Sequence, residues 1–588
     1  MDADDSSAPV EGAAEAYLRL FDRFGVDVFF NSPGSDDAPY WEFLTKHSAD
    51  DDTDAPVPAY VNCRHESVAV NMARGYTMVT GRAQVVKLHI NTGTLHAAMD
   101  LHASYHSGTP MIVLSSYAAT HENEQFGGSP GPHYLRSQEP GGHENNVKRY
   151  TKWVCPLDTN DNAEQLLSRA YNVASASPQG PVFVNISREL AHDRSKETVE
   201  FVEPTVPSPP FPDPETFEAL VDRLEGATNP LLLTGSYGTD PDAVPDLVRL
   251  AETLEMPIYE TEKRVNNFPM DHPLYLGAGL LQSDTLEAYL AKDVDLVFVL
   301  DSPFPWYPPR GGAPTDAEIV MVDEDPLQER SHYWNYPADL LVEADSAALV
   351  PALADRVSPT SVDRPVDWRD EHEKWRRRWD RAAEDGRDEQ PIDPFWLCRV
   401  LDETLPDDAL IHDETVVHTS IVANLVRTTA PDRIGTLQAN RGGLGVGLGV
   451  ALGAKLARPE RTGVLLVGDG AFNYNAVAAA FGTAQEHDLP ILVVVFNNES
   501  YESMRTSHRL NYPDGWAEDA DTYVGASIEP TPEYADIVSS WGGYGEKVAD
   551  PDEIGPALER GLDAVSTGRI AVVDVVLEDG FPSDPTPE

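Results

Sequence analysis

Basic residues are scarce in this sequence. Its 43 lysines and arginines stand against 98 aspartates and glutamates, a formal charge of −55 and a pI near 4.4. A surface so acidic repels nucleic acid and anionic membranes, and neither is expected as a partner. Cysteine is nearly absent: Cys63, Cys155 and Cys398 lie far apart with no paired metal-ligand spacing, which argues against a disulfide framework or a zinc site. No apolar run approaches the ~18 residues of a membrane span. The opening MDADDSSAPVEGAAEAY has neither the basic nor the apolar region of a secretory leader, so a cytoplasmic protein is expected. No strand is followed by GxGxxG with an acidic residue about 20 positions later, which argues against a dinucleotide-dependent oxidoreductase.

What is present is enough to fold. Hydrophobic residues make up 41% of the chain, so it is not a disordered acidic polymer. Its self-repulsion suits a salt-rich, halophilic cytoplasm where counterions screen it. The melting temperature is therefore expected to rise with salt; a melt unchanged between dilute buffer and molar KCl would refute this.

A length of 588 residues exceeds one core, which stops growing near ~250–300 residues, and points to three domains. Two stretches read as linkers, the proline-dense 203–217 and the stretch 358–368 with the charged run that follows to 394. Between them helical patterns alternate with apolar runs that suit buried parallel strands: VDVFF, QVVKLHI, PMIVLSS and GPVFVNI first, PLLLTG, VDLVFVL, AEIVMVD and DLLVEA next, then ALIHD, GVLLVGD, ILVVVFN and IAVVDVVL. The expected fold is α/β, with three doubly wound parallel-sheet domains at 13–200, 216–356 and 390–588 after a flexible tail at 1–12. Ligands should lie beyond the carboxyl ends of the strands.

The third domain carries the clearest chemistry. GVLLVGDG ends a strand, NYNAVAAAFGTAQEHD follows as an amphipathic helix, and ILVVVFNNES is the next strand. If the two strands are neighbours, Asp469 and Asn498 stand at one sheet edge with strand ends about 5 Å apart. A carboxylate and an amide oxygen can then share one Mg2+, which takes oxygen ligands and completes its shell with phosphates. Gly468 and Gly470 keep side chains away where a diphosphate would approach the backbone.

GDG followed after 26 residues by NN, across strand, helix and strand, resembles the fingerprint of the thiamine-diphosphate-dependent decarboxylase and acetohydroxyacid synthase superfamily. The resemblance implies pyrimidine-binding, central and diphosphate-binding domains in that order. It implies Asp469, the Asn498 side chain and the Ser500 carbonyl as metal ligands, with Gly468, Gly470 and Ala471 beside the cofactor. NRGGLGVGLGVALGAKLA (440–457) resembles the segment that holds the cofactor bent, with the Gly442 carbonyl accepting from its 4′-amino group and Leu444 between its rings. CRHESVAVNMARGYTMVTGR (63–82) reads as a strand end and a helix with Val68, Met72, Ala73 and Tyr76 inward. A glutamate at a helix start favours the positive helix end; the resemblance instead assigns Glu66 to the cofactor nitrogen N1′, as the group that activates it. In the family these half-sites come from different subunits, implying at least a homodimer and commonly a homotetramer.

Further details resemble benzoylformate decarboxylase. NSPGSDDAPY (31–40) is similar to its loop with a pocket serine, here Ser35; VKLHINTGTLHAAMDLHASYHSGTPMIVLSS (86–116) to its segment with an active-site histidine, here His89; and NNFPMDHPLYLG (266–277) to the segment with a second, here His272. The activity implied is non-oxidative decarboxylation of a small 2-oxo acid, with histidine, of ordinary pKa near ~6.5, moving the proton. The alternatives are acetolactate-synthase-like joining of two 2-oxo acids and an inactive cofactor-binding paralogue. The synthase's flavin-contacting Arg-Phe-Asp-Asp-Arg run is replaced by VLDSPFPWYPPRGG, so bound FAD is doubtful. The polar stretch 503–534 is expected to fold over the pocket.

Overall fold

The computed structural model describes residues 7–49, 56–124, 127–279, 284–306, 313, 315–331, 336–360, 362, 364–427, 434–436, 443–580 and 582–585, with backbone alone at 134–135 and 434–436. The apolar runs become strands of three six-stranded parallel sheets.

In the first, β1 (Ser7–Pro9) is followed by β2 (Val28–Asn31), β3 (Ala59–Asn62), β4 (Gln84–Leu88), β5 (Met111–Tyr117), β6 (Trp153–Leu157), β7 (Pro181–Ser187) and β8 (Thr198–Glu200). Strands β2 to β7 form a parallel sheet in the order β3-β2-β4-β5-β7-β6. The stretch expected as a flexible tail is in part a strand: β1 pairs antiparallel with β8, Ser7 opposite Glu200, and the Val10 amide donates to the Glu197 carbonyl at 2.9 Å. Backbone pairing, which composition does not announce, ties this end down.

The central sheet runs β9 (Pro230–Thr234), β10 (Ile258–Thr261), β11 (Tyr275–Gly279), β12 (Leu296–Leu300), β13 (Glu318–Asp323) and β14 (Leu340–Glu343), in the order β11-β10-β9-β12-β13-β14. The last holds β15 (Leu410–Glu414), β16 (Ile434–Thr436), β17 (Gly463–Gly468), β18 (Ile491–Asn497), β19 (Tyr544–Val548) and β20 (Ala571–Val576), in the order β16-β15-β17-β18-β20-β19. Buried on both faces, the inner strands are rich in Val, Ile and Leu.

Within the linkers the structure adds order. Asp213 caps the helix Pro214–Gly226 by accepting from the Glu215 and Thr216 amides at 2.9 and 3.1 Å. The second linker holds an 18-residue helix, Trp368–Asp385. Its charged outer face hides an inner stripe: Trp375 stacks edge-on to Tyr275 and donates to Asn424 Oδ1 at 3.0 Å. Its high charge masked the helical period.

The chain forms two compact units, one of 1–208 with 439–459 and 475–489, the other of 209–438, 460–474 and 490–588. In the first, the helix Glu66–Thr80 packs on the helix Gly447–Ala457 so closely that a Cβ on Gly75 would stand 2.0 Å from the Val450 carbonyl oxygen, and one on Gly453 2.0 Å from that of Met72. Several glycines of the run 440–457 therefore serve helix packing. Val68, Met72 and Ala73 face inward as the spacing predicts, with Tyr76 half-buried.

Candidate active site

Numbered within themselves, the first and third sheets share the strand order 2-1-3-4-6-5. Winding reverses between the first and third strand of each, and ligands bind beyond the carboxyl ends of strands at such a reversal. In the third sheet that point lies between β15 and β17, and in the first between β2 and β4.

At the third sheet, β17 and β18 are parallel neighbours with Gly468 opposite Phe496, which sets Asp469 and Asn498 just past adjacent strand ends. Gly468 sits tightly against its neighbour, since a Cβ there would meet the Thr415 carbonyl oxygen at 3.3 Å. The following Val416 has φ 61, a costly angle for a β-branched residue and a mark of local strain. Asp469 opens the short helix Asp469–Tyr474; its Oδ1 accepts from the Gly470 amide at 2.7 Å, while its buried Oδ2 has no hydrogen-bond partner. Burial pushes this carboxyl up to about 7, against the pull of the Gly470, Ser500 and Glu499 amides. Such a carboxylate needs a counter-charge.

The neighbouring oxygens are placed to share one. Glu499, at φ 56, turns the backbone so that the Ser500 carbonyl faces back toward Asn498. With its amide oxygen inward, Asn498 places that oxygen 3.1 Å from the Ser500 carbonyl oxygen and 3.3 Å from Asp469 Oδ1. Turned over, the amide nitrogen would donate to both. The inward oxygen is the better fit to a cation: in an octahedron with bonds of ~2.1 Å, adjacent oxygens stand about 3.0 Å apart. The Asn498 oxygen at that spacing from both the Ser500 carbonyl and Asp469 Oδ1, the last on a buried carboxylate whose other oxygen lacks a partner, fits Mg2+. Gly470 is covered by the Tyr501 ring, 2.8 Å from where a Cβ would be, and Ala471 is buried beside it. Underneath, Asn497 Nδ2 donates to Asp574 Oδ1 at 2.9 Å and steadies the end of β18.

The stretch 503–534 has a definite task. It forms the helix Glu502–Asn511 and the turn of helix Trp516–Asp519, then returns along the ligand loop. The Tyr501 amide donates to the Ala526 carbonyl at 2.7 Å and the Ile528 amide to the Glu499 carbonyl at 2.9 Å. The insert thus clamps residues 499–501.

In the first unit, the crevice between β2 and β4 gathers Ser35, Asp36, Asp37, Lys87 and His89. Lys87, fully buried, donates to Asp36 Oδ2 at 3.0 Å and pairs with Asp37 Oδ1 at 2.6 Å. Asp36 Oδ1 contacts His89 Nδ1. Burial favours neutral Asp36, but the Lys87 charge and the His89 contact outweigh it and hold the carboxyl well below its usual range. Ser35 is exposed, its carbonyl accepting from Arg188 Nη1 at 3.0 Å. Asp36 and Lys87 were absent from the sequence-based candidates; a lysine inside the apolar run VVKLHI was their one signal.

Glu66 begins its helix after His65, whose Nδ1 accepts from the Ser67 amide at 3.0 Å. Its Oε2 lies 3.1 Å from His96 Nδ1, and Gly93 packs against Oε1 so that a Cβ there would stand at 3.0 Å. His65, Glu66 and His96 each offer a ligand atom within 4.8 Å of the others, but the two imidazoles are stacked almost parallel, which points their lone pairs alongside rather than at one ion. Leu444 stands between Gly443 (φ 113) and Gly445 (φ 91), a backbone turn only glycines adopt freely. Gly442 lies outside the described residues. His272 sits in the turn before β11: its Nδ1 accepts from the Leu274 amide at 3.2 Å, its Nε2 lies 3.3 Å from Glu252 Oε1, and its ring meets Phe268 edge-on. None of these partners is a site candidate.

Parallel sheets with an oxygen cluster past the ends of β17 and β18 and a titratable cluster past the ends of β2 and β4 have the layout of an enzyme that binds its ligands at the carboxyl ends of its strands. The sequence profiles of the thiamine pyrophosphate enzyme N-terminal TPP binding domain, central domain and C-terminal TPP binding domain match residues 12–138, 217–353 and 415–575. The chain belongs to the thiamine pyrophosphate enzyme family, whose cofactor is thiamine diphosphate, and to its decarboxylase and acetolactate synthase superfamily. Benzoylformate decarboxylase of Pseudomonas aeruginosa is 26% identical over 93% of this chain and 96% of its own. The acetolactate synthase isozyme 3 large subunit of Escherichia coli is 24% identical over 97% and 95%. The solved structure of a thiamine diphosphate-dependent 4-hydroxybenzoylformate decarboxylase from Rhodococcus jostii RHA1 shares the fold, with TM-score 0.78 at 22% identity, covering 97% of this chain and all of that one. No helix among the described residues is long and apolar enough to cross a membrane.

Proposed function

We propose that this protein decarboxylates a small 2-oxo acid, using thiamine diphosphate anchored through Mg2+ held by Asp469, the Asn498 side chain and the Ser500 carbonyl. When bound, the cofactor supplies the carbon nucleophile and electron sink that a 2-oxo acid lacks. The protein supplies position, proton movement and shelter. Glu66 would hydrogen-bond N1′ of the pyrimidine and set its proton, Leu444 would hold the rings, and the backbone at Gly468, Gly470 and Ala471 would lie beside the diphosphate. His89 moves the proton that replaces carbon dioxide, and Ser35, exposed beside it, meets the substrate carboxylate. His272 takes no part in this proposal, since both its nitrogens have partners in its own turn and in Glu252. The observation that carries decarboxylation is an imidazole at the first sheet's switch point with one nitrogen on a carboxylate and the other left for substrate.

The second reading, joining two 2-oxo acids, is supported by the full-length likeness to an acetolactate synthase subunit. Products decide between them. Purified protein with thiamine diphosphate, magnesium and molar KCl, given pyruvate, benzoylformate or a branched 2-oxo acid, is expected to release aldehyde and carbon dioxide. Acetolactate from pyruvate with no free aldehyde would replace decarboxylation by carboligation. We place the enzyme in the cytoplasm as at least a homodimer, in keeping with a homotetramer. Trp516 and Val524, 89% and 98% exposed on the insert, are large apolar groups that a second chain would cover.

A further inference from the structure

We propose that Asp36 is a positioning residue for the reaction: buried and ionised beside Lys87, it holds the Nδ1 proton of His89 and so presents Nε2 to the substrate. This rests on the decarboxylase reading above. His89 follows the end of β4 and Asp36 lies in the loop that follows β2, its parallel neighbour, so the strand pairing and that loop together bring the pair into contact.

The surrounding contacts leave Asp36 little freedom. Its Oδ2 accepts from Lys87 Nζ at 3.0 Å, and Lys87 is fixed in turn by Asp37 at 2.6 Å and by the Leu88 carbonyl at 2.9 Å. Asp37 is braced by the Gly34 amide at 2.8 Å and by Asn31 Nδ2 at 3.0 Å. That leaves Asp36 Oδ1 for His89. The loop also closes over the ring: a Cβ on Gly34 would lie 2.2 Å from His89 Nδ1, so only glycine lets the strand end pass so near. Two buried acids share one buried ammonium, and the His89 imidazole is the further group in contact with Asp36. Lys87 is too enclosed to touch a substrate; its use is to keep Asp36 ionised.

The chemistry needs such a clamp. Turning a 2-oxo acid anion into aldehyde and carbon dioxide consumes one proton, delivered to the carbon that loses the carboxylate. Nε2–H of the imidazolium gives that proton, the N–H bond breaking as the C–H bond forms, and solvent restores it. A carboxylate on Nδ1 fixes which nitrogen faces the substrate and steadies the imidazolium, the division of labour known from carboxylate–histidine pairs elsewhere.

The test is a double-mutant cycle on the full-length protein with thiamine diphosphate and magnesium, assayed on whichever of benzoylformate, pyruvate and a branched 2-oxo acid is turned over fastest. His89→Ala is expected to lower kcat about 10²-fold. Asp36→Asn is expected to lower kcat about tenfold or more with KM within about threefold, and to cost nothing further in the His89→Ala background. Exchange of the cofactor C2 proton, which His89 does not serve, is expected to be unchanged and reports an intact fold and cofactor site. Losses that multiply in the double variant, or a full kcat in Asp36→Asn, overturn the role of Asp36 alone; a full kcat in His89→Ala overturns the assignment of His89 on which it rests. Should Asp36→Asn not fold, Asp36→Asn with Asp37→Asn and Lys87→Met removes all three buried charged groups together and takes its place in the cycle. Histidine 15N spectra give a readout free of turnover: His89, identified by its loss in His89→Ala, is expected as the Nδ1–H tautomer in the wild type and as a mixture in Asp36→Asn, and an unaltered tautomer overturns the proposal.

Discussion

Asp469→Ala is expected to weaken thiamine diphosphate binding in the presence of magnesium by about 10³-fold, or roughly 4 kcal/mol, measured by calorimetric titration. The reason is the arrangement of charge. Asp469 brings the formal negative charge to a group in which the Asn498 oxygen stands near the edge length of a magnesium octahedron from its two neighbours, and without it an amide and a peptide carbonyl must hold a divalent ion that dehydrates reluctantly. The cofactor-free protein should behave oppositely. There the substitution deletes a buried carboxylate whose Oδ2 lacks a partner, so the variant is expected to melt no lower than the wild type. Adding cofactor and magnesium should raise the wild-type melting temperature and leave the variant's unchanged, because only a ligand that binds the folded state stabilises it. A cofactor affinity within threefold of wild type would remove Asp469 from the metal.

Glu66→Gln separates binding from chemistry. Turnover is expected to fall about 10²- to 10⁴-fold, the range a positioned proton-transfer group contributes, with thiamine diphosphate affinity within a few-fold. Glutamine keeps the shape that packs against Gly93 and stays beside His96, so helix and pocket survive while the carboxylate is lost. Exchange of the cofactor C2 proton should slow in parallel with turnover. Normal exchange with impaired turnover would assign Glu66 to a later step, and normal turnover would remove it from the relay.

The parts of the site that were legible in the sequence are those built locally. Asp469 and Asn498 belong to one strand-helix-strand unit, so the 26 residues between GDG and NN set both strand ends on one edge once the strands are neighbours, as β17 and β18 are. Most inner strands announced themselves by apolar runs, β10 (IYET) being an exception. The strands at or near the sheet edges, such as β3 (AYVN), β6 (WVCPL) and β19 (YGEKV), did not, because they are half-exposed and carry mixed residues. The helix Trp368–Asp385 was hidden in the same way, its charged face outnumbering the tryptophans that dock it.

By itself the sequence determined the class: parallel α/β sheets of the thiamine pyrophosphate enzyme family, with Asp469 and Asn498 past adjacent strand ends, since periodicity and short-range spacing specify strands, helices and what stands at their ends. Tertiary structure alone decided how distant residues share work. The pairing of Asp36 with His89, 53 positions on, and the burial of Lys87 between two acids exist only once β2 and β4 lie side by side. The same is true of the glycines that became a helix-helix seam and of the insert that grips residues 499–501. Hydrogen bonds and close packing depend on distances of a few ångströms, and no pattern along the chain records which remote segments the fold will bring that near.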